Sequence, residues 1–352
     1  MGSDDHLERG RESFKRSAWT AAHAQLSAAD LESPLDAADL IRSAMAAYLI
    51  GLDTESVEIL TRAHQESVEQ HDIATATRCA FWIGFQLVIK GEVSQAGGWF
   101  GRGGRLLAEH QLECVEQGYL LIPQALQNLF GGNYQAAVEI FQQGAAVGER
   151  FRDRDLITLA DFGRGQALIR LGRTEEGVAL LDEIMVAVIT DEVSAIICGL
   201  VYCGVIGSCQ ELFDLRRARE WTEALTRWCA SQPDLVPYRG QCLVHRAQLM
   251  LLQGEWGAAE EEAARARDAL SGAPDQVAIG MAFYELGELH RLQGRYNEAE
   301  EAYGQASQWG HLPEPGLAKL RLGQGQIDAA EAASRRVIGE AKELVIRCKV
   351  LP

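Results

Sequence analysis

The chain repeats one short pattern four times, as Gly91-Glu-Val-Ser-Gln-Ala96, Gly132-Asn-Tyr-Gln-Ala-Ala137, Gly254-Glu-Trp-Gly-Ala-Ala259 and Gly294-Arg-Tyr-Asn-Glu-Ala299. Each copy has a glycine, an apolar or aromatic residue two positions later and an alanine five positions later. Further copies begin at Gly51, Gly172 and Gly325, and degenerate copies begin at Ser17 and Phe213. Most starts are about 40 residues apart, and a constant period of this length is typical of a repeat architecture.

The residues around each start predict a helix, a tight turn and a second helix. A glycine ends a helix because it tolerates a positive φ at the first position past the helix. The residue five positions after each start is small in all nine copies, and so is the residue seven positions before it in eight copies. Small residues at helical spacing allow two helices to cross closely, so each copy is predicted to be an antiparallel helix hairpin.

The predicted fold class is therefore all-α, with almost no strand. We expect a right-handed superhelix of antiparallel hairpins, in which each unit packs only on its neighbours. The whole chain, 1–352, is predicted to be a single array with turns near positions 17, 51, 91, 132, 172, 213, 254, 294 and 325.

The unit Phe283–Ala306 resembles the tetratricopeptide repeat most closely, through its glycines, its two tyrosines after the turn and its alanines. The usual repeat has 34 residues. The longer period here is similar to that of the sensor arrays of bacterial LuxR-type and MalT-like transcription regulators. Three stretches, Cys79–Phe85, Cys114–Tyr119 and Val236–Arg246, further resemble the N-terminal region of actinobacterial LuxR-family regulators.

This resemblance implies a function in transcription regulation. Such regulators end in a helix-turn-helix domain, which residues 1–352 do not contain, so either that domain follows residue 352 or this member lacks it. The leading hypothesis is a ligand- or peptide-sensing domain that acts by a conformational or oligomeric change. The alternative is a stand-alone adaptor that holds a protein partner and has no role linked to DNA.

Composition excludes some partners and locations. The formal net charge is −17, and no basic patch offsets it, so we expect no direct nucleic-acid binding. The polar N-terminus lacks the apolar core of a signal peptide, and no apolar run is long enough to cross a membrane. We therefore expect a cytoplasmic protein that does not interact with membranes, and homodimer formation is left open.

No catalytic or cofactor motif is present, so we expect no enzyme activity and no cofactor. The eight cysteines lie mostly in apolar segments that are predicted to be helical, and they are predicted to be reduced thiols. A zinc site at Cys229, Cys242 and His245 is conceivable, but a structural site needs a fourth ligand and none is near in sequence. We therefore expect no metal.

The predicted binding site is the concave face, which the first helix of each hairpin lines in tetratricopeptide arrays. A small-molecule effector, a peptide or a protein is the expected occupant. Its first half is apolar and aromatic and its second half is polar, and an exposed apolar surface indicates either binding or packing within the array. The candidate groove residues are Phe81, Phe85, Tyr119, Ile122, Phe130, Phe162, Gln166, Arg170, Cys203, Gln210, Glu211, Tyr238, Arg239, Gln241 and His245.

Two prolines make the segment Gln232–Gly240 unusual, and two interpretations stay open. It either connects two helices or forms a loop in which Arg239 binds a carboxylate or phosphate. A further proline, Pro123, lies in a predicted first helix, which it either bends or starts late.

Overall fold

The computed structural model describes residues 3–232, 234–270 and 278–340. Over these residues the chain forms helices joined by short turns, and no strand is present. The helices are α1 (Ser3–Lys15), α2 (Trp19–Glu32), α3 (Ala37–Leu49), α4 (Asp53–Glu69), α5 (Ile73–Ile89), α6 (Val93–His110), α7 (Glu116–Phe130), α8 (Tyr134–Phe151), α9 (Arg154–Arg170), α10 (Thr174–Ile189), α11 (Ala195–Glu211), α12 (Leu215–Ser231), α13 (Pro237–Gln253), α14 (Trp256–Leu270), α15 (Ala278–Leu292), α16 (Tyr296–Gln308), α17 (Gly316–Gly323) and α18 (Ile327–Glu340). The predicted all-α fold class is confirmed.

Consecutive helices form hairpins, and the turn inside each hairpin depends on one residue in the left-handed region. All nine residues chosen from the repeat pattern have a positive φ, including Ser17 at 57° and Phe213 at 56°. The other seven are glycines with φ between 75° and 86°. A side chain makes this conformation unfavourable, which explains why glycine dominates the position.

Small residues let the helices of a hairpin interlock. A Cβ atom added to Gly84 would lie 2.5 Å from Cε1 of Phe100, and one added to Gly287 would lie 2.6 Å from Cε1 of Tyr303. In each pair, the glycine lies seven residues before the turn and the ring nine residues after it. The first helix thus supplies the space that the large side chain of the second helix fills.

The chain divides into two compact units. Unit 1 comprises residues 1–205 and 230–237, and unit 2 comprises residues 206–229 and 238–352. Within each unit, odd-numbered helices, the first of their hairpins, also contact one another, as α5 does α7 in unit 1 and α15 does α17 in unit 2. In each unit these helices form a layer, called here the first-helix layer of that unit. The single array and the handedness of the superhelix stay predictions.

The segment 230–237 packs against the start of unit 1. Trp19 Nε1 donates a hydrogen bond to Oε1 of Gln232 at 3.0 Å, and the amide of Val236 donates to the carbonyl of Leu49 at 2.9 Å. Leu235 is buried as well. These contacts assign the segment a packing role, which goes beyond a simple connection between helices.

The structure answers part of the two questions raised by prolines. Helix α13 begins at Pro237, so Tyr238 is helical and, at 2% exposure, buried. The position of Pro233 and the side chain of Arg239 lie outside the described residues, so binding through Arg239 stays a prediction. Pro123 lies inside α7, which begins at Glu116, so the late-start alternative is wrong.

Candidate functional site

The aromatic residues predicted for the groove of the first half form the interior of unit 1. Phe81, at 0% exposure, packs against Phe85, Phe100 and Tyr119, with ring centroids 5.0 to 6.3 Å apart. Phe85, Tyr119 and Ile122 are buried as well. For these four residues the structure supports packing within the array, the second of the two interpretations, because interlocking hairpins bury more than one face of a first helix.

The other predicted residues of the first helices differ in how exposed they are. Phe130 is 66% exposed, but it lies at the end of α7, next to the turn. The ring of Phe162 packs on Gly204, where an added Cβ would lie 2.0 Å from it, so its role is packing. Several polar residues of the predicted set and Cys203 are half-buried, namely Gln166, Arg170, Cys203, Gln210, Glu211 and Gln241.

A charged cluster, called here the Arg78 cluster, joins three first helices of unit 1. Arg78 on α5 donates to Glu116 of α7 at 2.8 Å and pairs with Asp153, the N-cap of α9, at 3.3 Å. The hydroxyl of Tyr119 donates to Asp153 at 2.9 Å, and the guanidinium lies 4.1 Å from the centre of its ring. One cation therefore holds two carboxylates.

Burial sets the protonation of the groups around this cluster. Asp155, in the first turn of α9, accepts a hydrogen bond from the amide of Ser194 at 2.7 Å. Burial nevertheless raises the pKa of Asp155, because the charged carboxylate loses water that its contacts with Ser194 do not replace. Burial also raises the pKa of Tyr119, whose hydroxyl therefore stays a donor.

A second chain of polar side chains, called here the polar row, crosses the first-helix layer of unit 2. Nε2 of Gln210 on α11 donates to Oε1 of Gln248 on α13 at 3.0 Å, and Nε2 of Gln248 donates to Oε1 of Glu285 on α15 at 2.9 Å. Farther along α15, Glu288 lies 3.9 Å from Nζ of Lys319 on α17. These five residues connect four successive first helices.

The charge of Glu288 is stabilised by its neighbours. Burial alone would raise the pKa of this carboxyl, but hydrogen bonds from Arg291 and Tyr303 outweigh that effect and lower it. Arg291 donates two hydrogen bonds, at 3.0 and 2.9 Å. Glu288 is therefore a charged carboxylate at neutral pH.

His245 lies beside the polar row as a neutral side chain. Its Nδ1 is 3.3 Å from Oε1 of Gln248, and burial lowers its pKa to about 4. A predicted groove residue is thus close to the row, but at 6% exposure it supports Gln248 and offers little surface to a ligand.

A cleft of about 480 Å³ opens between α12 and α13 in unit 2. Its polar side chains come mainly from α12, including Arg219, Arg227 and the hydroxyl-bearing Thr226, and its apolar side chains are Leu249 and Met250. Groove prediction from the first helices alone missed this cleft, because half of its lining comes from a second helix.

Seven cysteines fall in the described part of the chain, and all seven are free thiols; Cys348 lies outside it. Within the same residues, no three His, Cys, Asp or Glu side chains are grouped so as to hold a metal ion. Among the helices described, none combines the length and apolar character needed to span a bilayer.

The spacing of the contacts along the repeat explains why Arg78, Glu116, Asp153 and Glu285 could not be identified from the sequence pattern. Arg78, Glu116 and Asp153 are 38 and 37 positions apart, and so are Gln210, Gln248 and Glu285. Each step is about three residues shorter than the repeat, so contact moves back by nearly one helical turn at each hairpin. Comparing residues at equal distances from the turn does not reveal such a diagonal.

The comparisons with known proteins agree with the helical architecture. The tetratricopeptide repeat family matches residues 282–309, the α15–α16 hairpin and the unit that carries the pattern most completely. No curated protein matches the chain.

Solved structures are similar to the chain only at low sequence identity and with TM-scores below 0.5. A Signal Transduction ATPase with Numerous Domains from Pyrococcus horikoshii, which has a tetratricopeptide repeat sensor, shares 12% identity with a TM-score of 0.46. The alignment covers 82% of this chain and 45% of that protein, so the chain spans less than half of its length. A Rap protein in complex with competence and sporulation factor shares 13% identity and a TM-score of 0.42 over 96% of this chain and 87% of that one. The human IFIT1 dimer with m7Gppp-AAAA shares 14% identity and a TM-score of 0.47 over 98% and 78%.

Proposed function

We propose that the chain is a non-enzymatic binding domain whose polar row in unit 2 takes an extended peptide segment. The observation that supports this is the row itself, in which half-buried amide groups on successive helices bond to one another. A glutamine amide has two donor hydrogens and an acceptor oxygen. Within the row, Nε2 of Gln210 and of Gln248 each use one hydrogen, so each amide nitrogen keeps a second donor for a peptide carbonyl.

Charge restricts the class of peptide. The row includes Glu285 and Glu288, and the chain as a whole carries a formal charge of −17. Like charges placed together across an interface are costly, so the expected peptide is neutral or basic. Hydrogen bonds from the row to the peptide backbone give affinity, and the charge of the peptide gives selectivity.

The wider biological role we propose is that of a sensor domain in a LuxR-type transcription regulator. The support is the resemblance of Cys79–Phe85, Cys114–Tyr119 and Val236–Arg246 to that family, together with the 40-residue period. A sensor requires a ligand that binds one conformation better than another, since equal affinity for both shifts no population. The alternative is an adaptor, in which binding leaves the conformation unchanged.

Selection from a random peptide library on the immobilised chain tests the binding role. We expect neutral or basic peptides to be enriched, and Gln248→Ala to weaken their binding at least tenfold. The matched control is Gln308→Ala, at an exposed position on the second helix α16. Failure to enrich any peptide would refute the peptide role, and equal affinity of the two variants would place the site elsewhere.

A further inference from the structure

Two buried thiols face each other across α12 and α13. Cys229 lies in the last turn of α12 and Cys242 in the second turn of α13, and their exposures are 5% and 3%. Oγ1 of Thr226 lies 3.3 Å from Sγ of Cys242, and Cys229 lies three residues after Thr226, on the same face of α12. Two thiols that face each other on neighbouring helices can form a disulfide where their Cβ atoms come close enough.

The cleft between the same two helices gives a small oxidant a route to this pair. Thr226 lines the cleft and also contacts Cys242, so a single side chain separates the thiol from the open volume. Hydrogen peroxide is little larger than water and fits such a space.

We propose that Cys229 and Cys242 are a redox modification site, a dithiol that hydrogen peroxide converts to a disulfide. The Cys242 thiolate attacks a peroxide oxygen, the O–O bond breaks, and a sulfenic acid and hydroxide form. The proton that Cys242 lost on ionising converts this hydroxide to the first water. The Cys229 thiol then attacks the sulfenic sulfur, the S–S bond forms, and the sulfenic oxygen leaves with the Cys229 proton as the second water. In total, two thiols and one peroxide give one disulfide and two waters.

The environment of Cys242 differs from that of other buried cysteines. Hydrogen bonds with Cys229 and Thr226, together with the nearby Arg246, lower the pKa of Cys242 to about 7, although burial alone would raise it. In contrast, burial raises the pKa of both Cys79 and Cys198 to about 12. Because the thiolate is the nucleophile, peroxide is expected to select Cys242.

The disulfide would close a loop around a segment with a packing role. Residues 230–237, which bond to Trp19 and Leu49 in unit 1, lie between the two cysteines in sequence. Oxidation would therefore restrict the freedom of this segment.

Peptide mapping of the intact chain after peroxide treatment tests the proposal. Cleavage after Arg227, Arg239 and Arg246 puts Cys229 and Cys242 on separate peptides, 228–239 and 240–246, each without another cysteine. We expect these two peptides to become disulfide-linked, with a rate that rises from pH 6 to pH 8, and a reductant to separate them.

Variants assign the role of each sulfur. Cys229→Ser should leave Cys242 to proceed to sulfinic acid, Cys242→Ser should stop all reaction at this pair, and Cys203→Ser, on α11, should change nothing. If Cys242→Ser does not fold, the native chain and Cys229→Ser are sufficient. Absence of the linked peptides, or equal oxidation of Cys79 and Cys198, would overturn the proposal.

Discussion

Replacing Gly287 with alanine tests how the hairpins interlock. A Cβ atom at Gly287 would lie 2.6 Å from Cε1 of Tyr303, and one at Gly316 would also lie 2.6 Å from this atom. The ring is thus confined from two helices, its hydroxyl donates to Glu288, and its exposure is 1%. Because the ring has little room to move, Gly287→Ala should overpack the hairpin at a cost of about 1–3 kcal/mol.

Gly304→Ala is the matched control, since a Cβ atom at Gly304 would meet nothing within 4 Å. Alanine is better than glycine inside a helix by about 0.5–1 kcal/mol, so this variant should be more stable than the parent. The same gain applies at Gly287 on α15, where overpacking reduces or reverses it. The difference between the variants therefore isolates the overpacking cost.

Hydrogen–deuterium exchange of the α15 and α16 amides measures this difference locally, which suits a repeat array that can open in parts. A difference of about 1–3 kcal/mol corresponds to exchange that is about 5 to 150 times faster in Gly287→Ala than in Gly304→Ala. Equal protection in both variants would refute the packing argument.

Three further predictions concern packing, pH and thiols. Ala299→Leu should cost about 1–3 kcal/mol by overpacking a fully buried position of α16, and chemical denaturation that matches the parent would show that the repeat register is misplaced. Because burial raises the folded-state pKa of Asp155, the native chain loses stability as pH rises from about 4, its unfolded value, through that folded pKa. The stability of Asp155→Asn relative to the parent should thus increase as pH rises from 4 to 7. Urea unfolding measures it, and a stability difference that does not change with pH would contradict this. Alkylation in denaturant of chain purified anaerobically should label all eight cysteines, and any unlabelled pair would mean a disulfide in the native protein.

The repeat turns could be predicted from sequence because the backbone itself requires them. Even Phe213, which breaks the glycine pattern, has the positive φ that its place in the period implies. The small residue of each space-filling pair followed from the same spacing, as with Gly84, which packs against Phe100. Local geometry and nearest-neighbour packing repeat with the sequence, so they can be predicted from it.

The candidate site was predicted less well. Sequence polarity indicated Gln210, but the aromatic side chains of Phe81 and Tyr119 were assigned to a groove when they fill the interior of unit 1. An amphipathic pattern shows which side chains avoid water and does not show which neighbour covers them. Glu285 was missed because the polar row follows a diagonal across the helices.

The most direct test of the central claim is hydrogen–deuterium exchange of the chain bound to a selected peptide. The claim predicts slower exchange in the first helices that carry the polar row, at residues 206–211, 241–248 and 281–288, with α14 and α16 unchanged. Protection confined to the second helices, or to the cleft between α12 and α13, would contradict it.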